Sequence, residues 1–347
     1  MSKSNKGNFF EDFSLGQVLR HAAPRTLTDG DAALYIGLTG SRYALFSSDA
    51  FAQDLGLRQA PVDPLLIFHT VFGKTVADIS LNAVANLGYA EGRFLAPVHA
   101  GDTLSATSEV IGLKENANGK TGVVYVRTTG TNQHGDPVLT YCRWVMVNKR
   151  DAAAPAPPPS APDLAEAVAP ADLVLPEGLD FASYDWTLAG EAHAYADYAV
   201  GERIDHIDGM TVEEAEHQIA TRLYQNTAKV HFDAVAQTSS RFGKRLIYGG
   251  VVISIARALA FNGLANAGLV LAINGGRHVA PLFAGDTIYA WSEVLDKADL
   301  GAAGALRLRL VAAKNRPCAD YPYKAGAEYQ PNVILDFDYW AAIPKRG

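Results

Sequence analysis

The sequence contains only two cysteines, Cys142 and Cys318, which lie far apart and outside any CxxC motif. This scarcity excludes a disulfide framework and a cysteine-rich zinc site, and it suits a reducing compartment. No apolar run reaches the roughly 18 uncharged residues of a membrane span. The first residues carry charge, but the apolar segment that follows the charge in a signal peptide is missing, so we expect no signal peptide. There is no basic block, and the net charge is −7. We therefore expect a cytoplasmic protein with neither a nucleic-acid partner nor a membrane partner.

The common catalytic motifs are also missing from the sequence. It has no GxSxG, no GxxxxGK[ST], no HExxH and no GxGxxG that follows a strand. The nine histidines show no metal-ligand spacing. Glu213 and His217 lie four residues apart, and the abundance of Glu around them predicts the solvated face of a helix. We therefore expect neither a metal ion nor an organic cofactor.

The length of 347 residues predicts about two domains, each able to bury a core. A stretch rich in proline and alanine at residues 152–162 lacks periodicity, and proline favours the extended conformation of a semi-rigid linker. The predicted domains are therefore residues 1–150 and 191–347, joined by a linker at residues 151–190.

The two predicted domains repeat each other in sequence. Residues 10–16 match 195–201, 49–53 match 233–237, 92–104 match 276–288, and 141–150 match 337–346. The matching blocks occur in the same order, and their spacing shifts by one residue until the last block. This agreement indicates an internal duplication.

Each copy has the same predicted order of elements. Thr26-x-x-Asp29 and Thr211-x-x-Glu214 resemble capping boxes that begin a short helix. A long apolar segment follows, and its Ala, Leu and Ile content predicts a buried central helix. Strands of alternating polarity come next and meet at Gly-Asp-Thr turns. The pattern predicts an α+β fold in which each copy wraps an antiparallel sheet around one long helix.

The duplication also separates scaffold residues from functional candidates. A residue present in both copies, such as Arg277 with its twin Arg93, is explained by folding alone. A polar residue found in one copy only is the better candidate for function. His231 passes this test, because it aligns with Phe46 or Ser47 according to where the one-residue shift is placed.

The start of the second central helix adds a chemical reason to single out this region. Gly249 and Gly250 stand there, and the free N–H groups of a helix start suit a negatively charged oxygen. In the first copy Asp63 and Pro64 replace the Tyr248-Gly249 step, and proline has no N–H to donate. A histidine beside such N–H groups can perform proton chemistry next to a carbonyl. The first copy is therefore predicted to be degenerate and non-catalytic.

The stretch around His231 resembles the motif of the MaoC-like (R)-specific enoyl-CoA hydratases, G-D-x-N-P-x-H followed by an acid two residues later. His231 and Asp233 keep two positions of that motif, whereas Asn226 replaces its aspartate. Essentially the whole chain is similar to the mesaconyl-CoA hydratase family, most clearly at residues 8–13, 72–82, 220–232 and 335–339. The resemblance implies a tandem (double) hot-dog fold with one active site, in the second half.

The resemblance further implies reversible hydration of mesaconyl-CoA, an acyl-CoA thioester, to erythro-3-methylmalyl-CoA. We predict that His231 is the general base or acid and that Asn226 orients water or the imidazole. The backbone N–H groups of Gly249 and Gly250 are predicted to form the oxyanion hole. The other candidates are Asp63 and Asp233 for a second acid, and Arg42, Arg222, Arg277 and Asp63 for contacts to the substrate carboxylate or CoA. We also expect a homo-oligomer, a dimer of this chain.

Other functions remain open on the sequence alone. An (R)-3-hydroxyacyl-CoA hydratase of other chain specificity would need an open apolar tunnel and no buried cation. A hot-dog thioesterase is expected to carry a carboxylate on its central helix, yet residues 251–264 contain no Asp or Glu. An acyl-CoA-binding module would have no need of His231.

Overall fold

The structure of the chain is a computed structural model that describes residues 3–346. The first copy begins with a short 3₁₀ helix, Phe10–Asp12. Its strands and helices follow in this order: β1 (Val18–Arg20), β2 (Arg25–Thr26), α1 (Asp29–Thr39), α2 (Ala44–Ser47), α3 (Asp49–Asp54), α4 (Pro64–Thr75), a π-helix (Val76–Ser80), β3 (Ala83–Phe94), β4 (Thr103–Glu115), β5 (Thr121–Thr131) and β6 (Pro137–Asn148).

The second copy repeats this order after a connecting segment that contains a 3₁₀ helix, Pro170–Asp172. Its elements are α5 (Trp186–Ala189), a 3₁₀ helix (Tyr195–Asp197), β7 (Arg203–Thr211), α6 (Glu214–Leu223), α7 (Lys229–Phe232), α8 (Ala234–Gln237), α9 (Gly249–Leu259), α10 (Phe261–Leu264), β8 (Leu269–His278), β9 (Thr287–Asp299), β10 (Gly304–Lys314), β11 (Lys324–Ala325), β12 (Glu328–Tyr329) and β13 (Val333–Ile343).

One antiparallel sheet runs through both copies. Across residues 3–346 its 11 strands follow the order β1-β4-β5-β6-β3-β8-β13-β10-β9-β7, with β2 paired to β4, while β11 and β12 form a separate hairpin. The copies join where β3 pairs with β8, through Gly92 with Ile273 and Arg93 with Ala272. This ladder is much shorter than those between the long neighbouring strands inside either copy, such as β4 with β5.

Two central helices fill the concave side of the sheet. Every residue of α4 is buried, and so is every residue of α9 except Gly249. The side chain of Asp63 begins α4 by accepting a hydrogen bond from the N–H of Leu65 at 2.8 Å, and Pro64 takes the first helical position, where no N–H is needed. The α+β tandem hot-dog fold predicted from the sequence is therefore confirmed.

The predicted capping boxes are wrong in their position. Thr26 and Thr211 end strands β2 and β7, and their hydroxyls bond the threonines of the Gly-Asp-Thr turns at 2.7 Å. The hydroxyl of Thr28 is the cap of α1, with Asp31 as its reciprocal partner. Helix α6 begins after Glu213. Both caps therefore lie two residues later than predicted, because a threonine that ends a strand and a threonine that caps a helix look alike in sequence.

Residues of the predicted linker make specific contacts with both copies. Ser160 exchanges two backbone hydrogen bonds with Leu113 of β4, each 2.8 Å long. The N–H of Val168 donates to Asn274 Oδ1 of β8 at 2.9 Å, and its carbonyl accepts a bond from the Trp340 indole of β13 at 3.0 Å. The segment thus crosses from the first copy to the second, while the domain limits stay a prediction.

Throughout residues 3–346, every helix falls short of the length and apolarity that a membrane span requires.

Candidate functional site

His231 is the third residue of the four-residue helix α7. The equivalent helix α2 places Phe46 third, so the structure decides between the two possible alignments in favour of Phe46. The ring is half-buried, and its Nδ1 lies 3.0 Å from the carbonyl oxygen of Leu246. Since a carbonyl oxygen can only accept, Nδ1 carries the proton and Nε2 holds the lone pair. Burial lowers the pKa of His231 to about 4, so the imidazole is neutral at neutral pH.

Asn226 supports the turn from which His231 projects. Its side chain is buried, and its Oδ1 accepts a hydrogen bond from the N–H of Ala228 at 3.0 Å. The Ala228 carbonyl in turn accepts from the N–H of His231 at 3.0 Å. The amide therefore acts on His231 through the backbone, and a carboxylate at the same place could accept the same bond.

The two acids considered as proton sources are both helix caps. Asp233 begins α8 by accepting from the N–H of Ala236 at 2.9 Å. Asp63 caps α4 as described above. Burial raises the pKa of Asp63 to about 7.

The prediction that His217 lies on a solvated helix face is wrong. It is buried on α6, and its Nε2 accepts the backbone N–H of Tyr248 at 2.9 Å. Its ring centroid lies 6.1 Å from that of His231. Burial lowers the pKa of His217 to about 3, with the nearby His231 contributing. His217 therefore fixes the residue immediately before α9, whereas Glu213 stays exposed.

The glycine pair at the start of α9 is required by close packing. A Cβ on Gly249 would overlap the imidazole of His278, and a Cβ on Gly250 would lie 2.7 Å from the His69 ring. The N–H groups of a first helical turn have no partner within their own helix. Glycine thus lets the rings of His278, His69 and Tyr248 pack against the backbone at the start of α9, and Pro64 occupies the equivalent place in the first copy.

His278 is a site residue that the sequence analysis missed. On β8 it pairs with the buried Leu335 of β13, so its ring faces the core, and its Nε2 lies 3.3 Å from the hydroxyl of Tyr89. Burial lowers the pKa of His278 to about 4, with the nearby His231 contributing. The duplication contained the signal for it, because Phe94 stands at the matching position of the first copy.

A hydrogen-bond chain from the first copy orients a second missed histidine, His69 of α4. The Tyr35 hydroxyl donates to Ser254 Oγ at 3.0 Å, and Ser254 Oγ lies 2.9 Å from His69 Nε2. Ser254 Oγ can donate to Nε2, and in that arrangement the proton of the neutral ring is on Nδ1. That Nδ1 is buried without a hydrogen-bond partner. Burial lowers the pKa of His69 to about 3, so the ring is neutral.

Tyr248 joins the half-buried His231 to a group of buried rings, and we call the whole assembly the ring cluster. The cluster comprises His69, Phe72, Tyr224, His231 and Tyr248. The Tyr248 ring centroid lies 5.3 Å from that of His231, 5.8 Å from His69, 5.9 Å from Phe72 and 6.0 Å from Tyr224. Residues of both copies therefore form the site, although His231 belongs to the second.

A cavity of about 1090 Å³ lies among β3, β8, β13 and the β11–β12 hairpin. Tyr89 and His278 line it and also contact the interior: Tyr89 packs on Phe72 with ring centroids 6.3 Å apart, and the His278 ring packs on Gly249. The cavity thus borders residues that pack against the ring cluster, although none of the five cluster residues lines it. Among the residues that the structure describes, no group of three or more His, Cys, Asp or Glu could hold a metal ion.

The three candidate arginines lie in different places. Arg277 is exposed and lines the cavity. Arg222 is exposed on α6, and the exposed Arg42 lies over the Phe261 ring at 4.5 Å. Of these three arginines, only Arg277 lines the cavity.

Comparison with known proteins matches the chain along its whole length. The model of the mesaconyl-CoA hydratase family matches residues 1–328. The chain is 62% identical over 345 residues to a mesaconyl-CoA hydratase of Cereibacter sphaeroides, with 99% of this chain and 100% of the relative covered. It is 60% identical over 350 residues to a β-methylmalyl-CoA dehydratase of Chloroflexus aurantiacus, with 100% and 99% covered.

Solved structures agree with the sequence comparison. A MaoC domain protein dehydratase from Chloroflexus aurantiacus has a TM-score of 0.98 at 60% identity, with 100% of both chains covered. A protein of Mycobacterium tuberculosis with a double hotdog fold has a TM-score of 0.77 at 26% identity, with 97% and 98% covered. The chain therefore belongs to the mesaconyl-CoA hydratase family of hydro-lyases.

Proposed function

We propose that the chain catalyses the reversible hydration of mesaconyl-CoA to erythro-3-methylmalyl-CoA. Near-complete coverage at 62% and 60% identity to relatives named for these two directions supports the substrate. The observation that carries the chemistry is the neutral, tautomer-fixed imidazole of His231 in a buried cluster beside the start of α9.

The reaction needs a base for water, and His231 Nε2 is the proposed base. It removes a proton from water as the oxygen bonds to C3 of the acyl group, the carbon that bears the second carboxylate. The π electrons move onto the thioester, whose oxygen becomes enolate-like. The same imidazole, now protonated, then delivers a proton to C2. We assign both transfers to His231 because Asp63 and Asp233 are engaged as helix caps and Asn226 cannot exchange a proton.

The developing charge on the thioester oxygen requires hydrogen-bond donors. We propose the N–H groups of Gly249 and Gly250, at the positive end of α9, for this role. The unpartnered Nδ1–H of His69 lies beside Gly250 and is proposed as a further donor. The pKa of His69, lowered to about 3, keeps this group a neutral donor in the resting enzyme.

The division of work between the copies is part of the proposal. The chain is divided into residues 1–150, a linker at 151–190, and residues 191–347, which carry the single set of proton-transfer residues. The first copy has no counterpart of the His231 imidazole or of Gly249 and Gly250. It contributes the ring of His69 and, at Tyr89, part of the cavity wall. Arg277, exposed in the cavity wall, is proposed to contact the CoA moiety.

The assembly and location expected from the sequence also belong to the proposal. We propose a homodimer, for which sedimentation of the purified chain gives the test. A cytoplasmic location is supported by the scarcity of cysteine.

Absorbance of the enoyl-thioester bond tests the function directly. Mesaconyl-CoA and crotonyl-CoA are supplied side by side, and a thiol reagent reports any free CoA. We expect loss of enoyl absorbance with mesaconyl-CoA and no release of CoA. Faster loss with crotonyl-CoA would indicate a hydratase of other chain specificity, whereas release of CoA would indicate a thioesterase. No change with either substrate would favour a binding module.

A further inference from the structure

A buried arginine without a counter-charge lies on the strand next to the cavity-lining residue Tyr89. Arg143 of β6 is fully buried (0% exposed) and sits opposite Tyr89 of β3. Its Nη2 donates to the hydroxyl of Thr75 at 2.8 Å and weakly to that of Ser80 at 3.4 Å, while Nε and Nη1 have no hydrogen-bond partner. Across residues 3–346, no carboxylate forms an ion pair with this guanidinium.

Two buried hydroxyl groups belong to the surroundings of Arg143. The hydroxyl of Tyr248 has no hydrogen-bond partner, and that of Tyr141 has none of good geometry, although Thr75 and Thr128 lie close to it. Both tyrosines, and Tyr89, lie close enough to interact electrostatically with Arg143. A buried cation with unpaired N–H groups and unpaired hydroxyls is costly unless something completes it. All of these groups can donate hydrogen bonds, so an anion is the complementary ligand.

Arg143 also lies next to the ring cluster. Its guanidinium carbon is 4.3 Å from the centroid of the Phe72 ring, and Phe72 in turn packs on Tyr248, the neighbour of His231. Tyr89, opposite Arg143, lines the cavity and contacts His278. An acyl group that enters by the cavity to reach His231 therefore has this cation beside its path.

We propose that Arg143, with the hydroxyls of Tyr141 and Tyr248, binds the second carboxylate of a dicarboxylic acyl-CoA thioester. The assignment deepens the proposed function and rests on it. The second carboxylate of mesaconyl-CoA is attached to the carbon that receives the hydroxyl group, so its binding would place that carbon relative to His231. An arginine held by packing is suited to this task because it keeps its charge when buried.

The second copy provides a matched control. Arg257 is also buried, and its guanidinium lies 4.3 Å from the Tyr43 ring centroid. Its Nε and Nη1 likewise have no hydrogen-bond partner, whereas its Nη2 donates to the carbonyl oxygens of Ala267 and Gly268, which partly satisfy the charge. Tyr339, which matches Arg143 in the duplication, lies beside Arg257.

Binding of two unreactive thioesters tests the proposal independently of turnover. Calorimetry measures Kd for methylsuccinyl-CoA, which carries the second carboxylate, and for 2-methylbutanoyl-CoA, which has a methyl group in its place. The wild-type chain is expected to prefer the dicarboxylic thioester. Arg143→Met should reduce that preference at least about 30-fold, the usual lower range for loss of a partner from a buried charge pair. Arg257→Met should retain the preference.

Each outcome decides the assignment. Absence of a preference in the wild-type chain, or an unchanged preference in Arg143→Met, would overturn it, as would loss of the preference in Arg257→Met alone. If Arg143→Met does not fold, Tyr141→Phe takes its place with Tyr339→Phe as control, and an unchanged preference in Tyr141→Phe would overturn the assignment. Failure of the proposed function is seen separately, as absence of mesaconyl-CoA hydration by a wild-type chain that still prefers methylsuccinyl-CoA.

Discussion

In the proposed mechanism, a single hydrogen bond from His231 Nδ1–H to the Leu246 carbonyl leaves Nε2 as the nitrogen that acts on the substrate. Leu246 itself is held by a bond from its N–H to the Val230 carbonyl at 3.0 Å, so the imidazole and its anchor belong to one loop. The function of the ring therefore depends on local backbone geometry as much as on its pKa.

His231→Ala tests the proton-transfer role. Turnover of mesaconyl-CoA should fall by at least about 100-fold, the usual size of a general acid–base contribution, while the circular dichroism spectrum is retained. Phe46→Leu, at the equivalent position of the first copy, is the matched control and should keep turnover within a few-fold. A folded His231→Ala variant with near-normal turnover would show that another group is the base.

Asn226 allows a sharper comparison, because Asp can replace its capping bond and Ala cannot. Asn226→Asp should keep the Ala228 N–H bond and retain substantial activity on crotonyl-CoA, while Asn226→Ala should be much less active. On mesaconyl-CoA the new carboxylate should raise KM, since two like charges at about 4 Å repel by roughly 1–4 kcal/mol depending on the effective dielectric. Steady-state kinetics of both variants on both substrates measure this. Wild-type behaviour of Asn226→Ala would contradict the positioning role.

At the scale of elements, the close packing at the start of helix α9 depends on the absence of a Cβ atom at Gly249 and Gly250. Gly249→Ala would force the new methyl group against the His278 ring. We expect a loss of about 1–3 kcal/mol in the free energy of unfolding, typical of overpacking, together with reduced turnover. Gly37→Ala in α1 is the control, since its Cβ would meet nothing within 4 Å and alanine favours a helix. Equal stability of the wild type and Gly249→Ala would show that the ring moves aside at no cost.

The elements themselves could be predicted from local pattern. The buried central helices and the Gly-Asp-Thr turns, with Gly101 and Gly285 at positive φ, are properties of short segments. His217 could not be placed in this way, because its burial depends on a bond to Tyr248, 31 residues away. A Glu-rich helix surface gave no sign of one inward-facing histidine.

The site could be predicted only in part, because it is assembled across the two copies. The one-copy test found His231, and applied at Phe94 it would also have found His278. His69 has no such signal, since its role follows from contact with Ser254, 185 residues later. The sequence gives no sign of Arg143, because it lies far along the chain from the predicted active-site segments and β6 brings it close only through the sheet.

For the whole molecule, buried histidines dominate the response to acid. Burial lowers the pKa to about 3 for His69 and His217 and to about 4 for His206, His231 and His278, from a usual value of 6.5. Between pH 6.5 and about 4 the unfolded chain therefore binds more protons than the folded chain. The free energy of unfolding should fall as the pH falls through this window.

Asp63 contributes with the opposite sign, because burial raises its pKa to about 7 from 3.8, and the stability it adds is lost as the pH rises through that range. Burial also raises the pKa of Glu191, which acts in the same sense as Asp63, and lowers the pKa of His21 and His99, so two acids oppose seven histidines. Urea titrations between about pH 7.5 and 4.5 measure the sum, and Asp63→Asn, which removes one opposing group, should make the fall steeper. A free energy of unfolding that is constant or rises toward pH 4.5 would contradict this account.

The short β3–β8 ladder has an evolutionary consequence, because it joins two copies encoded by one gene. If two identical subunits met at this seam, every mutation would appear on both sides of it, and the first central helix could not begin with Pro64 while the second begins with Gly249. Fusion breaks that symmetry. Each half then mutates independently, so that an imidazole can be kept at position 231 and replaced by Phe46 in the other half, with neither change imposed on its counterpart.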